Sequence, residues 1–134
     1  MPGSFIDTNV LIYLASDDPW KAARAEEVVA EGGTISVQVL NEIVNVLRRR
    51  QGMSWPEIQV FLTILRDLLE VCPVTVETHE TGLALAARHN FPIYDAMIIA
   101  SALQVDCDVL LSEDMHHGMV LDGRLRIHDP FRTT

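Results

Sequence analysis

The sequence predicts an α/β fold of three layers, with helices on both faces of a central, mostly parallel sheet. Three observations lead there. Short apolar runs alternate with longer segments of helical periodicity, the alternation that builds strand–helix–strand units. Val109, Leu110 and Leu111 form an uninterrupted apolar run, as expected of a parallel strand covered on both faces. Residues 94–105 are apolar nearly all round, with Ala96, Met97, Ile98, Ile99, Ala100, Ala102 and Leu103, the pattern of a deeply buried helix.

Each element has its own signal. Residues 4–6 read as the first strand, and Val10, Leu11, Tyr13 and Leu14 follow at helical spacing. Asp18-Pro19 opens a helix, with Asp as N-cap and Pro in the first turn, and Gly32-Gly33 closes it. Residues 34–37 form a second strand leading into a helix over 36–50. Ser54 and Glu57 have capping-box spacing, with Pro56 early in a helix running to residue 70. Residues 74–76 are strand-like, and a helix over 78–89 ends at Asn90, a left-handed C-cap. After the buried helix come a strand over 109–112 and a fifth over 125–128, where Leu125 and Ile127 alternate with polar neighbours, as on a sheet edge. With no repeat, low-complexity tract or linker, the 134 residues are expected to form one domain, 1–134.

Composition narrows the function. No run reaches the ~18–20 apolar residues of a membrane span. The opening MPGSF lacks a basic region followed by an apolar stretch, so no signal peptide is expected. Cys72 and Cys107, without zinc-ligand spacing, read as two reduced thiols of a cytoplasmic protein, Cys107 buried. Nineteen acids against ten bases give a net charge of −9, which by itself argues against a phosphate-rich partner. Arg48, Arg49 and Arg50 are the only run of three bases, and a solvated helix end explains them simply.

Four acids resist so simple an account. Asp7 sits where the first strand hands over to a helix, between apolar segments, and needs a cap, an ion pair, a cation or a reaction to justify it. Ligands of parallel sheets bind beyond the carboxyl ends of the strands, which is where Asp7 lies. Asp114 follows the strand at 109–112 on the same rim; alone, it also fits a Ser/Asp turn. Asp95, alone, would complement the dipole of the helix it begins, but that helix is apolar and its start points into the domain. Glu42 falls on the shoulder of the helix whose apolar face is expected to carry Val37, Leu40, Ile43, Val44 and Leu47. Carboxylates ~6 Å apart at an effective dielectric of ~20 repel by roughly 3 kcal/mol per pair. Four in one place would need a cation, and a set of hard oxygens suits Mg²⁺ or Mn²⁺ rather than zinc.

With those residues in view, the chain resembles the PIN-domain ribonucleases, and among them the VapC-type toxins of toxin–antitoxin pairs. The resemblance runs through FIDTNVLIYL with Asp7, VQVLNEIVNVL with Glu42, IYDAMIIASAL with Asp95 and LLSEDMHHGMVLDG with Asp114. It implies a PIN-like fold, a single nuclease domain over 1–134, and Mg²⁺- or Mn²⁺-dependent hydrolysis of RNA phosphodiesters. It also implies that Asp7 and Asp95 are the principal metal ligands, completed by Glu42 and Asp114. Thr8, Asn9 and Ser112 would support the acids. A homodimer and a VapB-like antitoxin are the implied partners, and residues 54–70 carry an apolar surplus in Val60, Ile64 and Leu68.

Other readings are weaker. His116 and His117 are adjacent and suit a solvated loop better than a site. His79-Glu80 begins a zinc-protease motif that fails at Leu83. A phosphoryl-transfer domain needs a lysine at the phosphate, and Lys21, the only lysine, lies in the helix opened by Asp18-Pro19. A PIN-like module that binds RNA or protein without cutting is the remaining alternative.

Overall fold

Strands of three or four residues here carry the centre of the molecule, because each is apolar enough to be covered from both sides. The computed structural model describes residues 3–133; residues 1, 2 and 134 of the expected domain lie outside that range. The central strands are β1 (Ser4–Ile6), β2 (Thr34–Ser36) and β4 (Val109–Leu111). Phe5, Ile6, Ile35 and Leu110 are wholly buried. Beside them run β3 (Glu70–Cys72), β6 (Leu125–His128) and β5 (Val120–Leu121), in the order β3-β2-β1-β4-β6-β5. Every pairing is parallel except β5 with β6. Helices cover the sheet, giving the three-layer α/β/α architecture of a PIN-like fold.

The helices are α1 (Thr8–Leu11), α2 (Pro19–Ala30), α3 (Val37–Arg49), α4 (Trp55–Leu68), α5 (Val76–His89) and α6 (Ile93–Gln104), with a 3-10 turn over Ile12–Ala15. Their ends follow local chemistry. Asp18 caps α2, Ser36 caps α3, and Ser54 with Glu57 closes a capping box on α4. Asn90 ends α5 in the left-handed conformation. In α6 every residue from Ala96 to Leu103 is buried. Among the described residues no helix is long and apolar enough to cross a membrane.

Three expectations are corrected. Residues 74–76 are no strand: Val74 and Val76 are exposed, and Thr75 caps α5, which begins at Val76. The strand lies earlier, at Glu70–Cys72, where β3 pairs with β2 in register Ile35 to Val71. Helical periodicity running through Leu68 and Leu69 concealed it, since three residues are too few to display a period of two. The strand β6 is not at the edge, because β5 pairs outside it. Finally, Val37 is exposed, although the rest of the expected face holds: Ile43 and Leu47 are buried with Val39 beside them, and Leu40 and Val44 pack half-buried against the core.

Register places the rim. Ile6 pairs with Leu111, so Asp7 and Ser112 emerge side by side at the carboxyl ends of β1 and β4. The Asp7 amide donates to the Leu111 carbonyl at 2.9 Å, which carries the ladder one residue beyond the strand.

Entry into β2 depends on a close backbone approach at Gly33. A Cβ there would lie 2.9 Å from the Ser4 carbonyl oxygen, and φ is +151°. Replacing Gly33 by Ala is expected to cost about 1–3 kcal/mol. Urea denaturation checks it; an unchanged midpoint would mean that β1 and β2 can separate freely at that point.

Candidate functional site

Asp7 is the deepest of the acids, only 5% exposed. It is the N-cap of α1, and its carboxylate accepts from the Thr8 amide at 2.7 Å, the Ser112 hydroxyl at 2.8 Å and Asn9 Nδ2 at 3.0 Å. Three neutral donors do not offset the loss of water. Burial, opposed by Ser112 and Thr8 and reinforced by Glu42 and Asp95, pushes its carboxyl from the ordinary 3.8 up to about 7.

The other acids arrive on separate elements. Glu42 projects from the shoulder of α3, where its two oxygens accept from Thr8 Oγ1 at 2.6 Å and Gln38 Nε2 at 2.8 Å. Asp95 is the third residue of α6, a position where the helix dipole favours its charge. Its carboxyl is nonetheless raised, first by burial and then by Glu42 and Asp114. Repulsion and desolvation therefore outweigh the dipole. Asp114 is exposed, two residues beyond Ser112. All four acids line one cavity of about 270 Å³, together with Thr8, Asn9 and Arg50.

Asn9 joins the two ends of this arrangement. Its Nδ2 donates to Asp7 and, at 3.2 Å, to Ser112, while its Oδ1 accepts from the Glu113 amide at 3.0 Å. The loop bearing Asp114 is thereby tied to the first acid. A second tie passes through Glu113, whose side chain accepts from Tyr13 Oη and Lys21 Nζ. The ammonium also lies 4.6 Å from the Tyr13 ring centre and 5.1 Å from that of Phe131. Sequence reading missed Tyr13, Lys21 and Glu113 because the three meet only across helix, turn and loop. A sole lysine in an acidic chain was the one available signal.

Among the described residues none of the four acids is in an ion pair. Nor do any three His, Cys, Asp or Glu side chains there form a ready-made metal-binding group. Asp7 and Glu42 are held in place by their hydrogen-bond donors. The donor set still fits a hard cation: four carboxylates face one cavity, without His or Cys in its wall. His117 is not in that set; its Nδ1 accepts from the Asp129 amide at 3.0 Å, so it braces β6 rather than lying in solvent. His116 is exposed.

Comparison with known proteins adds to this geometry. The PIN domain family model matches residues 4–117. No curated protein sequence matches the chain significantly. Among solved structures, the chain is similar to a toxin–antitoxin complex from Klebsiella pneumoniae, with TM-score 0.74 and 18% identity over 96% of this chain and 98% of that one. It is also similar to Mycobacterium tuberculosis VapC20, described as a sarcin–ricin loop cleaving toxin, with TM-score 0.70 and 21% identity over 84% and 90% of the two chains. A third is VapBC2 from Rickettsia felis bound to a promoter DNA fragment, with TM-score 0.62 and 18% identity over 83% and 87%.

The buried carboxyl of Asp7 has a measurable consequence. A carboxyl whose folded pKa exceeds its unfolded value keeps its proton longer in the folded state. Stability therefore falls as pH rises between the two values, from about 4 to about 7, and is level outside them. In metal-free buffer, Asp7→Asn is expected to remove this part of the slope, whatever its constant offset. Urea midpoints from pH 4 to 8 for both proteins test it; parallel curves would show that Asp7 ionises as freely as in the unfolded chain.

Proposed function

This chain belongs to the PIN domain family, and from that premise we propose that it is a metal-dependent endoribonuclease, the toxin of a toxin–antitoxin pair. The observation that carries the reading is the meeting of Asp7, Glu42, Asp95 and Asp114, from four separate segments, around one cavity at the carboxyl rim of a parallel sheet. Among the structural neighbours, the description of VapC20 as a sarcin–ricin loop cleaving toxin supports the same class of reaction.

In this proposal Asp7 and Asp95 are the principal ligands of Mg²⁺ or Mn²⁺, and Glu42 and Asp114 complete the site. Such an ion, when bound, makes water a better nucleophile near neutral pH and offsets charge on the phosphate oxygens. The protein supplies the alignment. Asn9 and Ser112 fix one oxygen of Asp7, Thr8 fixes one of Glu42, and Asn9 holds the loop of Asp114 by its backbone. Arg50 at the cavity wall is the cation within reach of a phosphate there.

The partner reading extends the proposal. Val60, Ile64 and Leu68 on α4 are each more than half exposed. An apolar groove of about 480 Å³ runs between α2 and α4, past Leu14, Val29, Phe61 and Leu65. Such a surface supports docking of a VapB-like antitoxin, and the neighbouring toxin–antitoxin complex supports the same pairing. A homodimer working in the cytoplasm completes the proposal.

A mixed RNA pool incubated with the protein should be cut in Mg²⁺ or Mn²⁺ and left intact in chelator. Asp7→Asn and Asp95→Asn are each expected to lower the rate by about 100-fold or more, at least the upper end of what outer-shell partners of a metal contribute. If the wild type binds RNA, folds normally and cuts nothing with either ion, the chain is a silent PIN-like binding module instead.

A further inference from the structure

Beside the acidic cavity lies a larger hollow of about 640 Å³. The helix α3 runs along both. Val37, Gln38 and Asn41 face only the larger hollow, Glu42 and Asn45 face both, and Val46 and Arg50 face only the acidic cavity. At 1.5 Å per residue, the stretch from Gln38 to Arg50 spans about 18 Å. A ligand bound along α3 would thus meet a cation at one end, the acids in the middle and the larger hollow at the other end.

The lining of that hollow is chemically distinct from the acidic cavity. Apart from the shared Glu42 it holds no charged group, only aliphatic side chains, amides and the ring of Tyr94. Tyr94 directly precedes Asp95 and is 69% exposed. Its backbone is held in place, because Gln38 Nε2 donates to the Tyr94 carbonyl at 3.1 Å as well as to Glu42. Without a cation, such a wall is a poor receptor for phosphate. A planar, neutral heterocycle suits it: the ring offers a stacking face, and amides carry both donors and acceptors for a base edge.

On the footing of the nuclease proposal above, we infer that this hollow is a nucleobase subsite beside the scissile phosphate. It takes an unpaired base, stacked on Tyr94 and read at its edge by Asn41 and Asn45. A base inside a duplex has neither a free face nor a free pairing edge, so the subsite selects single-stranded or loop RNA. Tyr94 thereby acts on affinity and site choice, and Asp95 next to it on the reaction.

The test reads binding separately from cutting. A single-stranded RNA carrying 2-aminopurine is titrated with wild type, Tyr94→Ala, Tyr94→Phe and Asn41→Ala in chelator, and stacking is followed as fluorescence quenching. Quenching is expected with wild type and Tyr94→Phe, affinity about tenfold or more weaker with Tyr94→Ala, and none with the same RNA in a duplex. Cleavage of a randomised RNA pool should show a base preference next to the cut that Asn41→Ala relaxes. Quenching equal in wild type and Tyr94→Ala overturns the subsite even if cleavage is normal. Quenching without any cleavage in Mg²⁺ or Mn²⁺ leaves the subsite standing and removes the nuclease reading. If Tyr94→Ala instead converts a dimer to a monomer in sedimentation, this face is a protein contact and the subsite is overturned.

Discussion

The carboxyl of Asp7 is sealed at the end of the central strand without a basic side chain to pair with it, and much of the surrounding structure answers to that constraint. An ionised carboxylate removed from water costs several kcal/mol unless something compensates. Here Thr8, Asn9 and Ser112 supply hydrogen bonds, and the residual cost appears as a carboxyl that holds its proton to about pH 7. The sheet makes this arrangement hard to escape. Ile6 and Leu111 pair in register, so Asp7 and Ser112 are neighbours wherever the strands go.

From Asp7 the coupling spreads outward through shared partners rather than through ion pairs. Thr8 gives its amide to Asp7 and its hydroxyl to Glu42, so two acids are oriented by one residue. Gln38 links Glu42 to the start of α6, one residue before Asp95. Asn9 ties Asp7 to the loop of Asp114, and Lys21 with Tyr13 grips the same loop from the opposite side through Glu113. A change in Thr8 or Asn9 is therefore felt by more than one acid.

The negative net charge looks different once the cations are located. Lys21 is engaged with Glu113, Arg124 with Asp106, and Arg48 bonds the Met53 carbonyl and lies over Trp55. Much of the small basic complement thus serves the fold. Beside the acids stand Arg50 on one wall and neutral amides, aliphatic groups and a tyrosine ring in the adjoining hollow. In the proposed subsite, selectivity would rest on stacking and hydrogen bonding more than on surface charge.

Fold class, most helix ends and the positions of the acids relative to strands were legible in the sequence, because they depend on local signals. Apolar periodicity, Asp18-Pro19, the Ser54–Glu57 box and Asn90 act within a few residues. The rim position of Asp7 and Asp114 follows from where parallel strands end. Tertiary structure alone decided the strand at Glu70–Cys72, the outer place of β5, and the exposure of Val37 at the start of α3. Strands this short are stabilised by their neighbours in the sheet, and their own residues carry too little periodicity to announce them. The same holds for the Lys21–Tyr13–Glu113 cluster and for the hollow beside Tyr94. Their members lie up to 100 residues apart in the chain, and only the packing of finished elements brings them together.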